Sequence, residues 1–600
     1  MQDQLPISTY QQQIEKNKIF LRQLLRKRTR LGWARFFVFI ATIIIAYNVF
    51  VVAGFIGFVP VIVGIGILLF LISMDVNNNQ KITNAKTLLQ INEEELQVLN
   101  NDYYDRYDGS MYAPNLHNYA NDIDLFGKAS LFQWSNRCQT EQGRSLLAQN
   151  LLQPLPVNQI KERLEAIKEI APQIEWRQQL QALGMQTIIT KNTEKRAAVW
   201  LTEEEKHFTN KRWETIVQLY SAITIASIIA AILGYISAST FSGLYVLYFF
   251  TSIILSRNTV KPYIQLSGIA KEIDVLYKLV AWVEDKEFQN ALLQRLQHEA
   301  RPDNEKAAMQ IRELKRILGR FDMRLNMAGP LFLNSFLLWD VRQMIALNEW
   351  RIRNKNFLSK WYALIAEAEV LHSLASIHFN EPGWAFPQFS NEHFTFESTA
   401  LGHPLIPDAN RITSDFGLQG TGKIGLVTGS NMAGKSTFLR SLGVNIVLAQ
   451  LGAPVCAKTF LLSPVHLMSS MRIADNLAEN TSTFYAELKK LKTIIEAVNR
   501  HEKVFILLDE ILRGTNSFDR HTGSVALMKQ LIKEKAVAVI ATHDVELAEL
   551  QQQYPNAIEN YHFDVQVEGE ELYFDYKLKH GVCTSLNASI LMKKIGIELQ

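Results

Sequence analysis

The stretch Gly429-Ser430-Asn431-Met432-Ala433-Gly434-Lys435-Ser436-Thr437, "GSNMAGKST", decides how the C-terminal third of the chain is read. It fits G-x-x-x-x-G-K-[ST]. An apolar run, "IGLV" (Ile424 to Val427), precedes it, and the helical "FLRSLGVNIVLAQ" follows. Strand, glycine loop and helix in that order are the context of a phosphate-binding loop. Gly429 and Gly434 let the backbone wrap an anion with its N–H groups, and the helix N-terminus adds positive potential. All nine residues of the stretch are therefore expected to bind nucleotide. Lys435 is expected to reach the β- and γ-phosphates and Ser436 to ligate Mg²⁺, so ATP and Mg²⁺ are the implied ligands.

A second stretch completes the chemistry. "VFILLDEILRGTNSFDR" (Val504 to Arg520) reads as an apolar strand ending in two acids. Asp509 is expected to hold Mg²⁺ or its water, and Glu510 to polarise the attacking water as general base. "VIATHD" (Val539 to Asp544) reads as a third strand, ending in His543, which could hydrogen-bond the γ-phosphate. Lys435, Glu510 and His543 form the expected catalytic set. From about residue 393, short β-rich runs ("HFTFES", "IGLVTG", "VFILLDE", "VAVIAT", "LYFDYKL") alternate with helical segments. That alternation predicts an α/β domain with a largely parallel sheet.

The rest of the chain has a different texture. Its 600 residues imply several domains. Net charge is only +3, which gives no global field for nucleic acid. Cys138, Cys456 and Cys583 lie far apart, with no C-x-x-C pair, so neither a zinc site nor a disulfide framework is expected. The apolar excess concentrates in Phe36 to Met74 and Ile216 to Leu255. The first is too long for one span and carries Gly54, Gly57 and Pro60 in its middle. It predicts a hairpin of helices over roughly 35–54 and 58–74. The second is divided by "SAST" (Ser237 to Thr240) into spans near 216–236 and 241–255, the latter short for a full crossing.

Lys16, Lys18, Arg22, Arg26, Lys27, Arg28, Arg30 and Arg35 precede the first hairpin, and Lys81 and Lys86 follow it. Lys206, Lys211 and Arg212 precede the second, and Arg257 and Lys261 follow. Neither internal loop carries a charge. The positive-inside rule puts all these ends in the cytoplasm, so the expectation is a multi-pass protein of the cytoplasmic membrane with a cytoplasmic nucleotide domain. The basic run Lys16 to Arg35 abuts a span, and anionic lipid headgroups are its expected contact. No span contains an ionisable residue, which disfavours a pump or channel. Ala222, Ala226, Ala230 and Gly234 form a small-residue stripe suited to close helix packing. "MAGPLFLNSFLLW" (Met327 to Trp339) is expected to start a buried helix. A long helical pattern continues from there to about Ser376 and stops at "EPGW" (Glu381 to Trp384).

Several stretches together resemble the MutS ATPases of DNA mismatch repair. They are the Asn-Met within "GSNMAGKST", the "RGT" after the acids, and "DNLAENTSTFYAEL" (Asp475 to Leu488). "DLFGKASLFQWSNRCQTEQGRSLLAQNLLQPL" (Asp124 to Leu155) and "YKLKHGVCTSLNASILMKKIGI" (Tyr576 to Ile597) complete the set. The resemblance covers roughly 122–212 and 257–600 and is strongest over 400–600. It implies an ABC-type ATPase that dimerises with itself around two composite ATP sites. Ser482 would reach the partner's γ-phosphate, Asn431 would lie near that junction, and Phe460 near the adenine. DNA, mismatched or branched, is the substrate the resemblance suggests.

The chain also departs from that family. No N-terminal mismatch-reading domain with a Phe-x-Glu wedge is recognisable, and "FNE" (Phe379 to Glu381) stands directly before the ATPase region, where it cannot be one. The expected multidomain chain comprises a basic segment (1–34), a transmembrane hairpin (35–78), a connector (79–121) and the start of a MutS-like core (122–212). A second hairpin (213–256), an all-α lever region (257–384) and a MutS-type ATPase domain (385–600) follow. The alternative is a membrane mechanochemical ATPase acting on a membrane protein partner without touching DNA. An ABC transporter half is disfavoured by the few spans and by the lack of an L-S-G-G-Q-like stretch.

Overall fold

Helix α1 (Gln4–Ala53) and helix α2 (Phe58–Leu99) form one antiparallel hairpin in the computed structural model of the protein. The structure describes residues 4–203, 208, 212–302, 305–325, 329–430, 433–472, 483–568 and 571–583. The turn falls at Gly54–Gly57, where the sequence anticipates it; Gly54 adopts φ +56°. The helices themselves run far past the apolar stretch, because the polar flanks contain no breaker strong enough to stop them. At 1.5 Å per residue, α1 is about 75 Å long. Gly64 packs on Thr42 so tightly that a Cβ there would collide with it. Most apolar side chains over 36–74 nevertheless face outward, as Val52 (86% exposed) and Phe55 (88%) illustrate. At the far end, the Tyr10 hydroxyl donates to Asn380 at 2.7 Å, and the Asn380 amide donates to Glu95 at 2.9 Å. Tyr10 also meets Phe379 edge to face. The "FNE" stretch thus holds the base of this hairpin.

The chain divides into two compact units, one of residues 1–136, 147–172 and 373–600, the other of 137–146 and 173–372. The second unit is entirely helical among its described residues. It contains α3 (Arg212–Ile232) and α4 (Ala238–Ser256), the second apolar pair. Ser237 caps α4 by accepting from the Thr240 N–H, so the break precedes Ser239 and Thr240 instead of including them. With α1–α2, these helices are long and apolar enough to cross a membrane by length and composition. The small-residue stripe does not pack this pair: Ala222, Ala226 and Gly234 are exposed, and Val217, Ser221 and Thr224 are buried instead.

The run after Met327 differs from expectation too. Gly329–Asn334 forms a π-helix, Leu338 adopts φ +47°, and Leu331 and Phe332 remain exposed. Hydroxyls from the apolar pair satisfy the carbonyls this irregular turn releases. Tyr220 donates to Ser335 O (2.8 Å), Thr224 to Phe336 O (2.6 Å) and Tyr245 to Leu331 O (3.1 Å). An unpaired carbonyl in an apolar setting is costly, which accounts for three hydroxyls converging there. The long helical pattern splits into α5 (Trp339–Asn354) and α6 (Leu358–Asn380), while 257–325 forms shorter helices. No single long lever results.

The C-terminal part of the first unit contains two sheets. The smaller has the order β1-β5-β2-β3, with β1 Gln388–Phe389, β2 Thr395–Leu401, β3 Ser414–Gln419 and β5 Thr459–Leu462. The larger runs β10-β9-β4-β8-β7-β6. Its strands are β4 Ile424–Gly429, β6 His466–Ser470, β7 Val504–Asp509, β8 Val537–Thr542, β9 Ile558–Glu568 and β10 Glu571–His580. All neighbours in it are parallel except β9 and β10. Every residue of β4, β7 and β8 is buried, as their unbroken apolar sequences require in a sheet covered on both faces. Helices α7 (Lys435–Leu451), α8 (Thr483–Asn499) and α9 (Ser517–Lys533) complete the domain.

Candidate functional site

Strand register builds the site. Thr428 of β4 pairs with Thr542 of β8, and Ala541 of β8 pairs with Asp509 of β7. Gly429, Asp509 and His543 therefore emerge at one level, at the C-terminal ends of three adjacent parallel strands. In open α/β sheets, ligands bind at that edge.

The chain turns sharply there. Gly429 has φ +152° and Gly434 φ +107°. A Cβ on Gly429 would lie 3.1 Å from Phe563 O, and one on Gly434 3.2 Å from the Tyr576 ring. Both positions therefore require glycine for conformation and for space. Gly434 caps α7, whose first residue is Lys435. The Lys435 ammonium donates to Gly429 O (2.8 Å) and Ser430 O (2.9 Å). Burial pushes its pKa down to about 8, although Asp509 and Glu510 pull the other way. A polyanion at this edge would restore full charge.

Asp509 is buried, and desolvation raises its pKa, while a hydrogen bond from the Ser436 hydroxyl and the nearby Arg513 oppose the rise. Its Oδ1 is buried and makes no hydrogen bond. A desolvated carboxylate oxygen with an open lone pair beside a hydroxyl is a donor set that fits a hard divalent cation such as Mg²⁺. Glu510 follows in the left-handed region at φ +49°, as does Leu512 at φ +59°. That backbone turns the second carboxylate toward the same edge as the first. His543 Nε2 lies 2.6 Å from Glu510 Oε1, and Arg513 Nε 2.8 Å from Oε2. The His543 bond is the main reason the Glu510 pKa is lowered, so the group stays ionised at neutral pH. His543 Nδ1 lies 2.9 Å from Gly429 O, which ties the histidine to both the loop and the acid.

Two contributors escaped the sequence reading. Arg513, noticed only as part of "RGT", reaches both acids, lying 3.5 Å from Asp509 Oδ2. Glu487 on α8, although buried, accepts from the Leu512 N–H and holds the turn that carries Glu510. Nothing in its spacing marks it, because its partner is a backbone amide.

A cleft of about 200 Å³ opens beside the loop, lined by His403, Ile412, Thr437, Phe438, Phe563 and Tyr576, among others. Tyr576 reaches it from an irregularity in the β9–β10 pairing between Phe574 and Leu578. Burial and two neighbouring arginines push the His403 pKa down to about 4, so its imidazole is neutral. Phe460 is not part of this cleft. It is buried in the small sheet, edge to face with Phe396, because alternation on β5 turns it into the core. Lys435, Ser436, Asp509, Glu510 and His543 are thus brought together with Gly429, Ser430, Ala433, Gly434 and Thr437. Asn431, Met432 and Ser482 lie outside the described residues.

The domain that carries this edge is similar to known proteins. The family model "MutS domain V" matches residues 425–594. Over 236 residues the chain is 31% identical to the DNA mismatch repair protein MutS of Persephonella marina, covering 39% of this chain and 27% of that protein. It is 32% identical to the same-named protein of a Thermotoga species over 251 residues, or 41% and 30% of the two chains. For Chlorobium phaeovibrioides the identity is 34% over 224 residues, or 36% and 25%. The chain spans less than a third of the length of these curated relatives. The likeness to the MutS family thus lies in the C-terminal domain, where the family model and these relatives match.

Proposed function

We propose that this chain is a membrane-anchored, ABC-type ATP hydrolase that senses the structure of mismatched or branched DNA from the cytoplasmic membrane. The observation that carries the hydrolase reading is the convergence of Lys435, Asp509, Glu510 and His543 on one strand edge. The glycine loop and Lys435 would hold the phosphates, and the cleft of Ile412, Phe438 and Tyr576 would take the base. Ser436 and Asp509 would hold Mg²⁺, which neutralises phosphate charge when bound. Glu510, ionised and fixed by His543, would orient water for in-line attack once it gives up Arg513. By family resemblance, two copies would close around nucleotide, Ser482 of each reaching the other's site.

The apolar helices support the membrane part, since exposed apolar surface of this extent needs a non-aqueous partner. The names of the matched relatives support the DNA part. A second reading rests on how little of those relatives is matched. It is an ATPase that moves its own membrane helices or a membrane protein partner, without DNA. The test is ATP turnover of the detergent-purified protein with no DNA, homoduplex, mismatched duplex and a four-way junction. Stimulation that differs among DNA forms and fades with salt is expected; equal rates throughout would favour the second reading. Lys435→Ala should abolish turnover, and wild-type activity in that variant would overturn the site.

A further inference from the structure

The N-terminal hairpin is longer than a membrane needs, and its surplus length is basic. From the Tyr10–Glu95–Asn380 base to the apolar stretch, α1 and α2 form a two-helix stalk. Residues 16–35 and 76–92 contain ten lysines and arginines and no acid. Leu24 and Leu31 of α1 are buried, with Leu24 packed against Ile82 and Ala85 of α2. Lys18, Arg22, Arg26 and Arg30 recur every four residues on the opposite face, and all four are exposed. Like charges at that spacing repel, so the stripe is not there for the stability of the helix.

We propose that this stripe binds the phosphate backbone of duplex nucleic acid. The inference rests on the membrane reading of residues 36–74 and revises the expectation that the basic run contacts lipid. Because α1 is continuous from Gln4 to Ala53, stalk and span share one axis. Along it, Lys18, Arg22 and Arg26 lie about 27, 21 and 15 Å from Phe36. The headgroup layer on each side is only about 5–8 Å deep, and screening removes attraction beyond roughly 8 Å at physiological salt. A typical tilt of about 20° shortens these distances by less than a tenth. Helical side chains also lean toward the N-terminus, here away from the bilayer. Arg30 alone of the four comes within reach of headgroups. The positive-inside rule asks for cations near a span but not for a four-residue repeat.

A repeated cation suits a repeated anion, and duplex DNA presents one charge per about 1.7 Å of axis. Exposed Asn77, Gln80 and Thr83 on α2 add neutral donors of the kind that contact phosphates.

The experiment uses the full chain in nanodiscs of neutral phosphatidylcholine and a short fluorescent duplex read by anisotropy from about 50 to 200 mM salt. The variant is Lys18→Gln, Arg22→Gln, Arg26→Gln, which keeps good helix formers and leaves the nucleotide site untouched. Wild type is expected to bind with a linear dependence of log affinity on log salt. The variant should flatten that slope by about 0.9 per lost phosphate contact, or roughly 2–3 in all. Equal affinity and slope in the two proteins, or no binding by wild type at low salt, overturns the proposal. A second arm measures flotation with vesicles containing phosphatidylserine. If the variant loses that interaction and keeps duplex binding, the stripe is a lipid contact and the proposal fails. Failure of the membrane reading shows separately, as a chain that does not enter nanodiscs; the same anisotropy series on that protein without lipid still decides the stripe.

Discussion

The strand-edge site and the apolar hairpins both hold groups in a state that water would not favour, but they do so on different scales. At the site the misfit is electrostatic and local. Lys435 and Asp509 are buried charges whose pKa values move toward neutrality, because burial outweighs the opposite charges beside them. In the hairpins the misfit is hydrophobic and distributed over dozens of exposed side chains, among them Phe37, Val52 and Phe55. A local misfit can be removed by one substitution; a distributed one cannot. The contrast orders the expected effects.

The largest effect should come from Glu510→Gln. Removing a general base of the kind proposed for Glu510 costs about 10²–10⁴-fold in rate, whereas the loop proposed to hold the phosphates is left untouched. Phosphate release should collapse while nucleotide binding, measured by equilibrium dialysis, persists. Retained turnover would mean that the site is not the local device described above.

The second effect is in pH. With the free Lys435 at about 8, the ammonium is already present below that pH, and nucleotide binding takes up no proton there. Above it, binding must protonate the lysine, so affinity should fall by up to roughly tenfold per pH unit until the bound-state pKa is reached. Nucleotide affinity unchanged between pH 7 and 9.5 would contradict the assigned contact.

Glu487→Ala should act next. It strips the Leu512 N–H of its acceptor and frees the turn behind Glu510. A lost buried hydrogen bond of this kind costs about 1–3 kcal/mol, read as a lower unfolding midpoint together with slower turnover. Glu487→Gln should recover part of both.

The hairpin substitutions come last. Gly64→Leu overpacks the Thr42 contact at a cost of about 1–3 kcal/mol and should lower the unfolding midpoint in detergent without changing ATP affinity. Phe39→Ala should do least. It removes about 2 kcal/mol of apolar transfer from a sum over the whole hairpin, and carbonate extraction should still leave the chain in the membrane fraction. Release by that single change would break the comparison.

Much of the site was legible because its signals are local. An apolar strand, two glycines and a lysine at a helix start lie within fourteen positions, Ile424 to Thr437. Asp509 ends a six-residue strand whose other five residues are apolar, and Glu510 follows it directly. The members that were missed act at long range or through the backbone. Glu487 meets an amide twenty-five residues away. The cleft joins Ile412, Phe438 and Tyr576 from separate segments, and Phe460 was misassigned because one strand position decides between core and cleft. The hairpins were located by their turns but not by their ends, since polar flanks such as Lys16 to Arg35 are as helix-compatible as the apolar stretch.

The sequence by itself determined the glycine loop and the paired acids, the parallel strands that carry them and the presence of apolar helices, because each follows from side chains close together along the chain. Only the tertiary structure decided which strands stand side by side, and therefore that Gly429, Asp509 and His543 share one edge. It alone decided that α1 extends unbroken into a basic stalk and that residues 329–338 lend their carbonyls to the hydroxyls of α3 and α4. Register, helix length beyond the apolar face and long-range hydrogen bonds are set by packing, and packing is a property of the folded chain.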